Sequence, residues 1–223
     1  MGLFSRKPKV RLDIFCADFY DKQILNPIVA GVHLGRASFE TVMRAVTEVD
    51  QTFAAVDCDT FFSEMTLIYF EVFGLAWLHQ LGDKHAAAQS EYTKRYLEQK
   101  GRQDIWVNLQ PYNSAIARSS RLGATPQTAM GRAYLAFRDS TLTNLFDKWH
   151  EQGFEPHAVA RAANRLLTDE AWRKGITPGF LMLTLCYRLG RELNEEAQSR
   201  LIAVIRGLYD GARNTLRQVK VEA

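Results

Sequence analysis

The sequence predicts an all-α protein, an irregular bundle of about eight helices around a buried central helix at residues 61–81. Apolar residues recur at steps of three and four in most segments, which is the period of amphipathic helices. Capping residues, prolines and glycines mark repeated helix starts and stops. The one stretch with strand-like alternation, Val10 to Cys16, has no second strand to pair with, so we interpret it as the start of a helix near Asp13.

Length and composition are those of a globular chain. Of 223 residues, 47% are apolar and 24% are charged, which is enough to form a core and excludes a disordered protein. We predict a disordered basic tail at 1–9 and a single helical domain at 10–223, with a candidate seam near 121–125 between two packed halves. Helix lengths do not repeat at a fixed period, which disfavours a solenoid.

The first half is predicted to contain five helices. Asn26-Pro27 ends the first, and Gly101 ends the fourth. Ser38 is the predicted cap of the second helix, and Asp59 or Thr60 that of the third. Pro111 either kinks the fifth or restarts it. The predicted spans are 13–25, 38–53, 61–81, 83–100 and 103–121.

In the second half, three X-Pro pairs open helices and three glycines close them. Thr125 and Thr177 each place a hydroxyl before a proline, a frequent arrangement at the start of a helix. Asn194 is the predicted cap of the final helix. The predicted spans are 126–151, 156–174, 178–189 and 194 onward.

Charge is distributed unevenly along the chain. The net charge is +3, but residues 1–100 carry −2 and the remainder +5, and without the basic tail residues 12–100 carry −6. This complementarity favours packing of the halves on each other, or association between copies. A nucleic-acid interface is disfavoured, because the basic residues of the last helix are interrupted by acids and form no dense stripe.

The ends and the cysteines of the chain indicate its compartment. No secretory apolar run follows the basic N-terminus. The three cysteines, Cys16, Cys58 and Cys186, are an odd number in apolar surroundings and are expected to be reduced and buried. We therefore predict a cytoplasmic protein whose contact with membranes is limited to weak binding by the basic tail.

The helix at 61–81 is apolar around nearly its whole circumference, which predicts burial. A membrane span is the competing interpretation. Glu64, Glu71 and His79 interrupt the apolar sequence, and no second span accompanies it. The central helix of a globular fold is the better interpretation.

Those same three polar residues are the candidate site. Glu64, Glu71 and His79 fall near one flank of the helix, and carboxylates on bundle helices hold metal ions in di-metal proteins. The full di-metal pattern needs Glu-x-x-His on two helices, which this chain lacks. A structural interpretation is also open, in which Glu64 stabilises the helix dipole and Glu71 pairs with an arginine of the second half.

A second group of acids is interpreted as helix caps and solvent-exposed side chains. Its members do not belong to a calcium loop, since no glycine and terminal glutamate follow at the required spacing. They are Asp13, Asp18, Asp21, Asp57 and Asp59.

No motif for catalysis is recognisable. The chain has no G-x-S-x-G, phosphate-binding loop, dinucleotide fingerprint or H-E-x-x-H. We therefore predict a protein-interaction or self-associating module with no cofactor, using aromatic-bearing helices around Trp106, Trp149 and Trp172. The alternative is a bundle with an internal divalent-metal or small-ligand site at Glu64, Glu71 and His79, assisted by the acidic first helix.

Overall fold

The computed structural model describes residues 7–25, 33–113 and 168–222 of the chain. These ranges are almost entirely helical, so the predicted all-α fold is confirmed. The α-helices are α1 Leu12–Phe19, α2 His33–Val49, α3 Cys58–Leu81, α4 Asp83–Gln99, α5 Gln103–Asn113, α6 Asp169–Arg173, α7 Ile176–Arg188 and α8 Glu195–Gln218. A π-helical segment Tyr20–Leu25 continues α1, a 3-10 helix Gln51–Ala55 follows α2, and the strands are β1 Lys9–Arg11 and β2 Lys220–Glu222.

Several predicted features lie outside the described residues. They include the start of the tail, the seam at 121–125 and the helix at 126–151. The helix predicted for 156–174 is described only from Thr168 onward. There the prediction is wrong, because Thr168 has an extended backbone and caps the five-residue helix α6 through its side chain.

The central position of α3 follows from its sequence. The helix begins at Cys58, three residues earlier than predicted, because the side chain of Asp57 accepts a hydrogen bond from the backbone N–H of Thr60 at 2.8 Å and so caps it. Buried residues occur on all its sides. α8 packs along it more extensively than any other described element, and α4 and α5 cover another face. The predicted central helix is thus confirmed.

Within the described ranges, α3 is the one helix long and apolar enough to cross a bilayer. Of its most apolar 18-residue stretch, 67% is buried inside the protein. The core helix of a globular protein meets the same length and composition criteria, so this property is weak support for a membrane span.

Aromatic contacts hold the first helix against α3. The rings of Phe19 and Phe73 stack with centroids 4.2 Å apart, and those of Phe15 and Trp77 lie 5.6 Å apart. Such pairs add stabilisation of roughly 0.5–1.5 kcal/mol beyond the burial of their area. The N-terminal helix is therefore an integral part of the core.

The two strands join the ends of the described chain. β1 and β2 pair in parallel, with Lys9 opposite Lys220, and the ammonium of Lys9 lies 2.7 Å from the carboxylate of Glu222. The expectation that no strand could pair near Val10 was wrong, because the partner lies at the opposite end of the sequence. Lys9 belongs to this strand and not to the disordered tail predicted for 1–9.

Capping chemistry predicted some helix starts and missed others. The side chain of Asn194 accepts a hydrogen bond from the N–H of Ala197 at 2.9 Å, which confirms it as the cap of α8. Ser38 does not cap α2, since that helix already begins at His33. Thr177 likewise lies inside α7, which begins at Ile176. A proline in the first turn therefore located the helix but not its first residue.

Candidate functional site

The three predicted ligands all lie on α3, but at different heights. A rise of 1.5 Å per residue separates Glu64 from Glu71 by about 10 Å, and Glu71 from His79 by about 12 Å. Among the described residues, no group of three His, Cys, Asp or Glu side chains is placed to hold a metal ion. The structure therefore gives each of the three its own surroundings, and a divalent metal stays a prediction.

Glu64 forms an ion pair with Arg188 of α7. The guanidinium contacts both carboxylate oxygens, and its Nη2 lies 2.6 Å from Oε1. The two side chains are only 11% and 14% exposed. The pair joins α3 to α7, as expected for a buried contact that fixes packing. The pairing with an arginine expected for Glu71 thus occurs at Glu64.

His79 lies in a polar cluster at the other end of α3. Its Nδ1 is 2.7 Å from the hydroxyl of Tyr209 and 3.8 Å from the carboxylate of Asp169. The ring of Trp172 stacks on that of Tyr209 at 4.0 Å, and Arg213 pairs with Asp169 at 3.3 Å. The imidazole is 4% exposed, so this cluster cross-links α3, α6 and α8 and leaves little room for a ligand.

Glu71 has different surroundings from the other two. Its side chain is buried, and among the described residues it has neither a hydrogen bond nor an ion pair. It borders a cavity of about 270 Å³, which we call the Glu71 cavity. The lining residues come from α3, α4 and α5: Phe70, Glu71, Gly74, Leu75, Leu78, Ala86, Gln89, Ser90, Thr93, Trp106 and Leu109.

A buried polar network fixes one wall of the Glu71 cavity. The side-chain amide of Gln89 donates to the hydroxyls of Tyr20 at 2.7 Å and of Thr93 at 2.9 Å. The hydroxyl of Thr93 lies 2.8 Å from the backbone carbonyl of Gln89, to which it can donate. Both amide hydrogens are thereby used inside the protein. The side-chain carbonyl oxygen of Gln89, Oε1, faces Gly74, and a methyl group added at Gly74 would lie 3.7 Å from it.

The electrostatics of Glu71 follow from its burial. Removal of the carboxylate from water disfavours the ionised form and raises the pKa of Glu71 to about 8. No nearby cation offsets this effect within the described part of the chain. A carboxyl group that titrates near neutral pH beside a cavity is the pattern by which functional acids are recognised.

Sequence reasoning identified Glu71 but missed its neighbours. The helix at 83–100 was predicted to lie on the surface with Tyr92, Tyr96 and Leu97 as its apolar contacts, whereas Gln89 and Thr93 are also buried. A usable signal was present, because Gln89, Thr93, Tyr96 and Leu97 follow each other at helical steps along one face. Two polar residues on the face that bears the apolar ones indicate a buried network.

Most of the second group of acids cap helices or lie at the surface, as predicted. Asp21, however, accepts a hydrogen bond from the hydroxyl of Tyr96, and Asp59, a predicted cap of α3, lies inside that helix. Asp57 caps α3, and Asp13 pairs with Arg11 at 2.7 Å at the surface. Asp18 pairs with Lys22 at 2.5 Å, also at the surface. None of these acids belongs to the lining of the Glu71 cavity.

No protein-family model, curated protein or solved structure matches this chain. The function is therefore inferred from the residues and the geometry of the site.

Proposed function

We propose that this protein binds a small organic molecule in the Glu71 cavity. The observation that carries the proposal is a buried carboxyl group with no partner among the described residues, bordering a cavity of about 270 Å³. Ligand sites are typically concave and mostly apolar, with a few convergent polar groups. The Glu71 cavity has this composition, and its volume lies just below the usual range of about 300–1,000 Å³.

A purely structural role accounts poorly for Glu71. A buried carboxyl group stabilises a fold when it is paired, as Glu64 is with Arg188. Without a partner it costs free energy at every pH at which it would otherwise ionise. Selection for stability alone would favour an apolar residue here, so a group that is present to meet a ligand is the simpler explanation.

Gly74 supports the same conclusion. A glycine inside a helix costs about 1 kcal/mol relative to alanine. This glycine lies within α3 and lines the Glu71 cavity. The absence of a side chain keeps that space open, and Gln89 is the neighbour that an added methyl group would contact.

Replacement of Gly74 by Ala is expected to raise the free energy of unfolding by about 1 kcal/mol, since the contact formed is an ordinary one at 3.7 Å. Gly207→Ala is the matched control, because Gly207 lies within α8 with nothing near its position. Urea unfolding followed by circular dichroism measures both. If Gly74→Ala lowers the stability while Gly207→Ala raises it, the added methyl group at position 74 does not enter open space in the cavity.

The binding proposal is tested by filling the cavity. Gly74→Leu places a branched side chain toward it, and Gly207→Leu is the control on an exposed helix surface. A panel of small amines, alcohols, amides, carboxylates and magnesium chloride is screened by the shift in melting temperature. At least one compound is expected to stabilise the wild type and Gly207→Leu but not Gly74→Leu.

If no compound behaves in this way, the proposal is wrong. Should Gly74→Leu fail to fold, Gly74→Ala replaces it, with Gly207→Ala as control, and the expected result is a reduced shift. A compound that shifts the cavity variant and its control equally binds elsewhere and counts against the proposal.

A protein-interaction or self-associating module, expected from the sequence, stays a prediction. Three tryptophans supported that prediction: Trp172 is buried, Trp106 lines the Glu71 cavity and Trp149 lies outside the described residues. Native mass spectrometry of the purified chain measures its oligomeric state and any bound mass together. A spectrum of single chains only would contradict self-association.

A further inference from the structure

We propose that the ligand of the Glu71 cavity is an organic cation, an ammonium or guanidinium group attached to a small apolar body. This inference rests on the proposed function and specifies its ligand class. It follows from three properties of the described lining: its charge, its hydrogen-bonding groups and its walls.

The charge of the lining is one-sided. Glu71 is the one titratable side chain among the described residues that border the cavity. A cation bound beside it would supply the counter-charge that no described residue supplies and would let the carboxyl group ionise, whereas an anion would be repelled as soon as Glu71 loses its proton. Unpaired like charges at close range are costly in a low-dielectric site, while an opposite charge with hydrogen bonds is stabilising.

The buried groups Glu71 and Gln89 favour a ligand that donates hydrogen bonds. The lining also includes the exposed hydroxyl of Ser90, which can donate or accept, and the indole N–H of Trp106, which can only donate. An ionised carboxylate only accepts, and both amide hydrogens of Gln89 are used by Tyr20 and Thr93. The side-chain carbonyl oxygen of Gln89, which faces Gly74, therefore remains as a second acceptor. An ammonium or guanidinium group carries several donors and no acceptor, which complements this pair of oxygens.

The walls of the cavity fit an apolar body. Phe70, Leu75, Leu78 and Trp106 contribute apolar and aromatic surface. Aromatic faces also attract cations. A volume of about 270 Å³ lies just below the range of roughly 300–1,000 Å³ of sites for drug-sized ligands, so the ligand is small. A bare inorganic cation would leave most of this apolar surface uncovered.

Binding of a cation is coupled to release of a proton. In the empty protein the pKa of Glu71 is about 8, so the carboxyl group is mostly protonated at pH 7. The bound cation favours the ionised form and lowers that pKa. Tyr20, which reaches Glu71's neighbour Gln89, has a pKa raised well above its usual value by burial and stays neutral. Affinity should therefore rise with pH up to about 8.

Three probes of one shape test the ligand class: benzylammonium, benzyl alcohol and benzoate. Isothermal titration calorimetry at pH 6, 7 and 8 is expected to show benzylammonium binding at least tenfold more tightly than either analogue. Its affinity should rise about ninefold from pH 6 to pH 7 and about fivefold from pH 7 to pH 8, where Glu71 is half ionised in the free protein. Glu71→Gln should weaken it at least tenfold at pH 8, and Glu91→Gln, an exposed acid on α4, should leave it unchanged.

The outcomes separate this inference from the proposed function. If benzyl alcohol or benzoate binds as tightly as benzylammonium or more tightly, and Gly74→Leu abolishes this binding, the inference of a cationic ligand is wrong. The proposal of a ligand in the cavity would then still be supported. Benzylammonium binding unaffected by Glu71→Gln would also overturn it. If no compound of the screening panel or this series binds in a way that depends on Gly74, both proposals fail.

Discussion

Replacement of Glu64 by Gln is expected to lower the free energy of unfolding by about 3–5 kcal/mol. The carboxylate of Glu64 is buried against the guanidinium of Arg188, which contacts both of its oxygens. A neutral side-chain amide at this position could accept only one of these hydrogen bonds and would leave a buried positive charge without its counter-ion. The cost of that uncompensated charge exceeds what the pair itself contributes, because both ions were removed from water on folding.

A double variant separates these two quantities. Glu64→Met with Arg188→Met removes both charges and is expected to recover most of the stability lost in either single variant. Asp104→Asn is the matched control, because it breaks the exposed pair with Arg102 bordering the same surface pocket and should cost under about 1 kcal/mol. Urea unfolding measures all of these proteins. Single variants as stable as the wild type would show that the buried pair does not hold α7 to α3.

Glu71→Gln is expected to have the opposite sign and a strong dependence on pH. Burial raises the pKa of Glu71 from its usual 4.5 to about 8 in the folded protein. Between these values the unfolded chain has lost the proton that the folded protein retains, so folding stability falls as pH rises. The slope is about 1.4 kcal/mol per pH unit. At pH 7 the variant should be more stable than the wild type by roughly 3 kcal/mol.

The difference between Glu71→Gln and the wild type is the quantity to measure, because other groups titrate in both proteins. Urea unfolding is measured at pH 4, 5.5, 7 and 8.5. The difference in free energy of unfolding between the two proteins should be absent at pH 4, increase up to about pH 8 and stay constant above that pH. A difference that does not change with pH would mean that Glu71 is not held protonated in the folded protein. A saturating cationic ligand should reduce the difference, since it stabilises the ionised carboxylate of the wild type.

Local sequence patterns predicted the helices but not every boundary or pairing. The apolar circumference of residues 61–81 predicted the central helix, and Asn194 predicted the start of α8. The pairing of β1 with β2 was missed because strand pairing depends on contacts between distant residues. The alternation at Val10 was visible in the sequence, but its partner β2 is a strand of three residues at the other end of the chain and is too short to be recognised.

The same distinction applies to the candidate site. Glu64 and Glu71 were identifiable because charged residues inside an apolar helix are conspicuous in the sequence. Which of them has a partner depends on where Arg188 lies after folding, and the arginine pairing expected for Glu71 occurs at Glu64. Gln89 was missed because its role comes from Tyr20, which is distant in sequence. Sequence thus located the unusual residues, and three-dimensional packing determined their state.

The packing of α8 along α3 has a consequence for synthesis of the chain. α3 ends at Leu81, whereas α8 begins about 110 residues later, at Glu195. At about 5–20 residues per second, the ribosome needs on the order of ten seconds to make the intervening chain. During that interval an apolar helix long enough to cross a bilayer lacks its most extensive described partner. The nascent chain should therefore be a strong client for chaperones that bind exposed apolar segments, and fragments ending before α8 should aggregate.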